Sequence, residues 1–142
     1  MFAYQIDGAF GLENLKKVER AKPTAGPGEV VVKMKAASLN YRDLLVVLGH
    51  YNPRQPLPVI PCSDGSGVVV EVGDGVSSVA VDDRVCPLFC QSWVEGNPTK
   101  NDLRDTLGSP IDGVLAGHAG RVNHLFDWSE CGLEDATGES HR

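Results

Sequence analysis

The sequence has no long apolar run. Its longest uninterrupted apolar stretch is five residues, Leu44 to Leu48, whereas about 20 are needed to cross a bilayer. The first residues, M-F-A-Y-Q-I-D-G, also lack the basic and apolar regions of a secretory signal. These absences predict a soluble, cytoplasmic protein with no membrane partner.

Positive charge is scarce as well. The chain carries 13 lysines and arginines against 19 acidic residues, which gives a formal net charge of −6. Its densest basic segment, residues 16–22, is interrupted by Val18 and Glu19. Binding to nucleic acid requires a basic surface that neutralises phosphates. Nucleic acid is therefore not an expected partner.

Cysteines are few, and their spacing is unlike that of a metal knuckle. In a chain of 142 residues without a secretory signal, four cysteines are expected to be reduced thiols. Three residues separate Cys86 from Cys90, zinc knuckles commonly have two, and no second pair of ligands stands nearby. We expect one domain, because of the length, and no structural zinc.

The clearest positive signal is a strand, turn and returning strand between Pro58 and Val85. A β-branched run at 68–70 leads into a tight turn at Gly73–Gly75. Gly65 and Gly67 bracket a single residue, so the backbone there can take positive φ or approach another segment closely. We expect a hairpin, with a functional site near these two glycines.

Two further elements are well defined. The alternation of apolar and polar side chains over residues 29–39 predicts a strand. Val31 is apolar although it lies on the polar face of this pattern, so the start of the strand is expected to be buried on both faces. Residues 40–49 read as a helix of about two turns, with Asn40 as the cap, Asp43 in the first turn and Gly49 after the end.

The remaining segments are short. The alternation of residues 2–7 predicts a first strand, and the four prolines from Pro53 to Pro61 predict an extended surface segment. Residues 93–109 are predicted to form a long loop, and residues 110–116 resemble the start of another strand. Many short strands, punctuated by glycine and proline and with little helical periodicity, indicate a mainly β fold, either a sandwich or a barrel.

These motifs together carry a family resemblance. The segments P-G-E-V-V-V-K at 27–33, A-S-L-N-Y-R-D at 37–43, P-V-I-P-C-S-D-G-S-G-V-V-V-E-V-G at 58–73 and D-R-V at 83–85 resemble the N-terminal, GroES-like catalytic domain of the medium-chain dehydrogenase/reductase superfamily. The similarity covers residues 1–116. It implies a partly open β-barrel with one or two short helices. Within the superfamily, the chain is similar to the branch of zinc-independent, NADPH-dependent quinone oxidoreductases and related alcohol dehydrogenase-like proteins.

The resemblance also bears on metal binding. Zinc-dependent members carry a cysteine ligand where this chain has Asn40, and a His-Glu pair where it has Ser63 and Asp64. An amide and a hydroxyl are poor ligands for zinc, which prefers thiolate and imidazole. We therefore expect no metal. Cys62 is the one residue here whose thiolate could still act as a soft metal ligand.

The resemblance implies a small-molecule substrate and a set of site residues. Asn40 is the candidate catalytic and cofactor-contacting residue on the wall near the nicotinamide, and Tyr41 is a second catalytic candidate. Tyr51, Cys62 and Asp64 are candidate substrate-binding residues. Each has a simpler structural explanation: Asn40 as a helix cap, the tyrosines as packing, Cys62 as a core residue and Asp64 as a turn carboxylate.

Two departures from the family pattern keep other functions open. No G-x-G-x-x-G cofactor turn follows a strand in this sequence, and the resemblance ends at Ala116. We expect residues 117–142 to be a divergent, partly disordered tail, arising from an altered reading frame, a splice variant or a gene-model error. The chain could then be a weakly active or inactive oxidoreductase domain, a non-catalytic binding or oligomerisation module, or a truncated product that forms homo-oligomers through an exposed interface.

Overall fold

The computed structural model describes residues 1–93, 95–123 and 125–127, and these form a mainly β structure as expected. The elements in chain order are β1 (Phe2–Ile6), a 3-10 turn (Leu12–Asn14), β2 (Leu15–Glu19), β3 (Val30–Ser38), α1 (Tyr41–Val47), β4 (Asp64–Val72), β5 (Arg84–Pro87), β6 (His118–Val122) and β7 (Leu125–Asp127). Among the described residues, no helix has the length and apolar character required to cross a membrane.

The strands form two sheets. β1 and β2 pair as an antiparallel ribbon, and the other five strands form a sheet in the order β6-β3-β4-β5-β7. The two edge strands of this sheet, β6 and β7, are separated in sequence by only two residues. Three Cα–Cα steps can span at most roughly 11 Å, so the sheet must curl until its edges approach. A partly open barrel results, which confirms the expected fold class.

The barrel interior holds the larger of two apolar clusters. Its buried members come from the strands and from the segments that cross between them, and they are Val30, Val32, Cys62, Val69, Val85, Leu107, Val114, Ala119 and Val122. A second cluster joins α1 to the ribbon through Val46 and Val47, which pack with Ile6 and Val59. Val31 is also fully buried, so the start of β3 is covered on both faces as its sequence predicts.

Two segments differ from the sequence expectation. The proline-rich segment does not stay on the surface, because Val59 and Ile60 are buried and Val59 bridges to Ile6 of β1. Residues 110–116 form no regular strand. Instead, the Gly113 N–H donates to the carbonyl of Ile60 at 2.7 Å and the Val114 N–H donates to that of Cys62 at 2.9 Å. The two segments pack backbone against backbone, a long-range contact that no local pattern predicts.

The sheet continues past Ala116, the expected end of the domain. In β6, His118, Ala119 and Val122 pair with β3 in antiparallel register, and β7 pairs with β5. Ala119 and Val122 are buried in the barrel core, so at least residues 118–122 belong to the folded unit. The remainder of the tail expected to be partly disordered, residues 128–142, lies outside the described residues.

The two glycines of β4 permit a close backbone approach. A Cβ atom on Gly65 would lie 2.6 Å from the Ala36 carbonyl oxygen, and one on Gly67 would lie 2.5 Å from that of Lys33. Among the non-glycine residues that the structure describes, positive φ occurs at Asp82 (φ 77°) and at Cys62 (φ 71°). β4 can therefore lie tightly across β3 only with glycine at positions 65 and 67.

Gly67→Ala is expected to destabilise the protein by about 2 kcal/mol, because the added methyl group overpacks the β3–β4 contact. Chemical denaturation measures this difference. Gly117→Ala is the matched control, since its Cβ would lie no closer than 3.5 Å to a neighbour, and it should change stability by less than about 0.5 kcal/mol. Equal stability of the two variants would contradict the tight approach of β4 to β3.

Candidate functional site

The candidate site begins at the residue that caps α1. Asn40 occupies the N-cap position in an extended conformation, with φ −115° and ψ 157°. Its backbone N–H donates to Oδ2 of Asp43 at 2.8 Å, and the Asp43 N–H donates back to the Asn40 carbonyl at 3.0 Å. Asp43 is only 5% exposed. The first turn of the helix therefore fixes the backbone of Asn40, as the sequence pattern indicated.

The start of β4 supplies the other half of the site. In the ladder between β3 and β4, Ser38 pairs with Asp64, so Asn40 lies two residues beyond the end of the pairing. Asn40 Nδ2 donates to Oδ2 of Asp64 at 2.6 Å, and the hydroxyl of Ser63 donates to the same oxygen at 2.6 Å. We refer to Asn40, Ser63 and Asp64 as the carboxylate-centred cluster.

The cluster fixes the orientation of the Asn40 amide. A carboxylate can only accept hydrogen bonds, so the NH₂ group of Asn40, not its oxygen, must face Asp64. One of the two amide hydrogens is used in that contact. A single N–H therefore remains for another acceptor, such as the oxygen of a bound molecule.

Cys62 lies beneath the cluster, in the barrel core. Its side chain is 1% exposed. Burial, followed by the negative charges of Asp43 and Asp64, raises the pKa of the Cys62 thiol to about 12. A thiol with this pKa stays protonated at neutral pH and is a poor nucleophile. Cys62, Cys86 and Cys90 form no disulfide among the described residues, and Cys131 lies outside them.

The two candidate tyrosines differ in their surroundings. Tyr41 begins α1 and is 75% exposed, so its ring is not part of the core. Tyr51 is 46% exposed, and its ring stacks on the guanidinium of Arg42 at 4.4 Å. The structure therefore brings Asn40 and Asp64 into direct contact, places Cys62 below them in the core, and leaves both tyrosine rings partly open to solvent.

Arg42 is a residue whose role the sequence did not reveal. Its guanidinium lies between the rings of Tyr51 and Phe89, the latter at 4.7 Å. It also donates to the carbonyl oxygens of Leu107 at 3.0 Å and Ser109 at 2.9 Å. These partners are more than sixty residues away in sequence, so no local signal could have identified them. Arg42 ties α1 to the loop that follows β5.

The donor set at the site consists of an amide, a hydroxyl and a carboxylate. Within residues 1–93, 95–123 and 125–127, no group of three or more histidine, cysteine, aspartate or glutamate side chains is arranged to hold a metal ion. The arrangement can position one N–H donor beside a carboxylate, where the chain passes from β3 to α1.

Comparison with known proteins identifies the fold and the lineage. The family model described as the alcohol dehydrogenase GroES-like domain matches residues 26–124. A zinc-type alcohol dehydrogenase-like protein of Schizosaccharomyces pombe is 40% identical over 114 residues, which are 80% of this chain and 33% of that protein. A chloroplastic quinone oxidoreductase of Triphysaria versicolor is also 40% identical, over 88% of this chain and 43% of its own length.

Solved structures agree with these relatives. The crystal structure of an NAD-dependent alcohol dehydrogenase superposes with a TM-score of 0.76 and 30% identity, over 92% of this chain and 40% of that one. The chain thus spans between a third and a half of the length of these relatives. The family match reaches residue 124 and includes β6, which agrees with the continuation of the sheet beyond Ala116. The chain belongs to the alcohol dehydrogenase GroES-like domain family, the N-terminal domain of the medium-chain dehydrogenase/reductase superfamily.

Proposed function

We propose that this chain is the substrate-side domain of a zinc-independent, NADPH-linked oxidoreductase whose substrate is a quinone, an enal, or an alcohol or carbonyl compound. One observation carries the proposal: Asn40 and Ser63 both donate to Oδ2 of Asp64. The residues at the positions of the cysteine ligand and the His-Glu pair of zinc-dependent members are thus hydrogen-bonded to one another.

The donor chemistry of this cluster does not fit a catalytic zinc ion. Zinc sites of this type use thiolate and imidazole ligands with one open position. The amide nitrogen and the hydroxyl here act as donors, and both are directed at the same carboxylate oxygen. The nearby thiol, Cys62, is buried, and its raised pKa keeps it protonated. Among these groups only the Asp64 carboxylate is an ordinary zinc ligand. Recruiting Cys62 as a second ligand would require ionising a buried thiol.

In a zinc-independent reductase, the protein must orient the reactants and stabilise charge on the substrate oxygen. A bound nicotinamide supplies the hydride. The remaining N–H of Asn40 is the group suited to donate to a carbonyl oxygen, because the helix cap and Asp64 hold the amide in place before any ligand arrives. Tyr41, which is 75% exposed, is the second candidate donor, and Tyr51, which is 46% exposed, remains a candidate substrate-binding residue.

A non-catalytic role is the second candidate function, and the same contacts favour it in part. Asn40 is satisfied as a helix cap and by Asp64, so the cluster could exist purely to join α1 to β4. The chain also spans only 33% of the relative from Schizosaccharomyces pombe. Cofactor binding by these 142 residues alone is therefore expected to be weak.

The metal prediction is tested by exchanging the residues at the ligand positions. Wild-type protein is expected to retain no Zn²⁺ after dialysis, whereas Asn40→Cys/Ser63→His should bind Zn²⁺ stoichiometrically, because thiolate and imidazole replace two hydrogen-bond donors. Competition with a chromogenic chelator measures the affinity.

The control variant, Asn97→Cys/Ser77→His, places the same residue types at two exposed positions outside the cluster. It should bind Zn²⁺ no better than wild type. Zinc held tightly by the wild-type protein and released by Asn40→Ala would show that the cluster is a metal site and would overturn the zinc-independent proposal.

The catalytic prediction concerns the amide of Asn40. With NADPH and a quinone, Asn40→Ala should lower kcat/KM about 100-fold, the usual effect of removing one donor to a developing oxyanion. Nicotinamide oxidation measures the rate, and Asn97→Ala, an exposed asparagine in the loop after β5, is the control. A wild-type chain that neither binds NADPH saturably nor oxidises it would favour the non-catalytic module.

Cys62 provides a pH-dependent test of the buried thiol. Its pKa is raised from 9.0 to about 12 in the folded state, so the protonated thiol is favoured by folding. Its contribution to stability is complete below about pH 9 and is lost as the pH rises towards 12, with a slope of at most about 1.4 kcal/mol per pH unit. Chemical denaturation of wild type and Cys62→Ala across this range isolates the effect, and parallel stability curves would contradict it.

A further inference from the structure

Cys62 adopts a backbone conformation that glycine would adopt more easily. Its φ of 71° lies in the left-handed region, where a residue with a side chain is strained. The surrounding chain holds it there, because the Val114 N–H donates to the Cys62 carbonyl oxygen at 2.9 Å and a Cβ atom on Gly113 would lie 2.0 Å from that oxygen. Strain of this kind is concentrated at functional positions. The thiol at position 62 is therefore a candidate for a specific role.

The carboxylate of Asp43 is buried beside this thiol and is only partly satisfied. Asp43 is 5% exposed. One of its oxygens, Oδ2, accepts the backbone N–H of Asn40 at 2.8 Å. The other, Oδ1, is buried and has no close hydrogen-bond partner among the described residues. Because a buried carboxylate oxygen without a donor is destabilising, Oδ1 needs a donor from within the fold.

The thiol of Cys62 interacts with this carboxylate and stays protonated. Burial, then the charge of Asp43 and the hydrogen-bonding contact with it, and then the charge of Asp64 raise the pKa of the thiol to about 12. A protonated thiol is a weak hydrogen-bond donor, and a bond to an ionised acceptor is stronger than one between neutral groups. The burial that makes Cys62 a poor nucleophile therefore keeps it a donor at neutral pH.

We propose that Cys62 is a positioning residue, whose thiol donates to Oδ1 of Asp43 and so fixes the carboxylate that holds Asn40. The backbone of Asn40 is bound to Oδ2 of that carboxylate, and its side-chain amide is bound to Asp64. Without the thiol, Asp43 keeps a donor on one oxygen only, and the backbone of Asn40 is held less firmly. Cys62 acts through Asp43 in this role and touches no substrate, unlike the substrate-binding residue that the sequence suggested.

Hydrogen exchange at the Asn40 backbone amide, measured by NMR on the complete 142-residue chain, tests the proposal. Cys62→Ala removes the donor and should raise the exchange rate about tenfold, because the carboxylate that accepts this N–H is held less firmly. Cys62→Ser differs from Cys62→Ala by one hydroxyl group. That hydroxyl restores a donor, so Cys62→Ser should exchange within about twofold of the wild-type rate.

Two controls separate positioning from a general loss of stability. Cys90→Ala removes a second buried thiol, whose charged neighbour is Arg42, and it should leave exchange at Asn40 unchanged. The backbone amide of Tyr4 donates to a carbonyl of the segment before β6 at 3.0 Å, so its exchange reports on opening of the fold away from α1. In Cys62→Ala, exchange at Asn40 should increase more than exchange at Tyr4.

A kinetic measurement tests the catalytic consequence, which rests on the proposed reductase function. With NADPH and a quinone, Cys62→Ala should lower kcat about tenfold and change KM by less than about twofold, because a donor to the developing oxyanion acts mainly in the transition state. Cys62→Ser should restore kcat.

The two experiments fail separately. A wild-type chain without reductase activity would contradict the proposed function, and the exchange rates would still decide the role of Cys62. Equal exchange at Asn40 in wild type and Cys62→Ala would overturn the positioning role, whatever the activity. Equally fast exchange in Cys62→Ala and Cys62→Ser would also overturn it, because it would show that the volume of the side chain matters and its donor does not.

Discussion

The close contact between β3 and β4 is the constraint on which the site depends. Glycine at 65 and 67 lets the two backbones approach to a distance that any Cβ would prevent. The resulting register places Ser38 opposite Asp64. Asn40, the cap residue of α1, therefore lies beside Asp64, the first residue of β4. The hydrogen bond from Asn40 to Asp64 is a consequence of strand packing, and it requires no ligand to form.

This arrangement gives the site a negative character. Asp43 and Asp64 both bond to Asn40, one through the backbone and one through the side chain, and their charges raise the pKa of Cys62. A zinc-dependent site has a metal cation at its centre, whereas this one has a carboxylate. Within the proposed function, the Asp64 carboxylate would hold the Asn40 amide in the orientation from which its free N–H could donate to a substrate oxygen.

Local sequence patterns predicted the elements that depend on local physics. The alternation in β3, the cap and first-turn aspartate of α1 and the return of the chain from β4 to pair with β5 were all visible in the residues themselves. The burial of Val59 and Ile60, and the continuation of the sheet beyond Ala116, were not visible. Both depend on backbone pairing with distant segments, which composition and periodicity do not encode.

Arg42 shows how such a distant contact can couple two regions. Its guanidinium contacts two aromatic rings and donates hydrogen bonds to oxygens of the loop at residues 106–109. Arg42 follows Asn40 by two residues, in the same helical turn whose start Asp43 and Asn40 secure. The contacts of Arg42 therefore join the loop after β5 to the helical turn that begins at Asn40. The loop itself contributes no residue to the carboxylate-centred cluster.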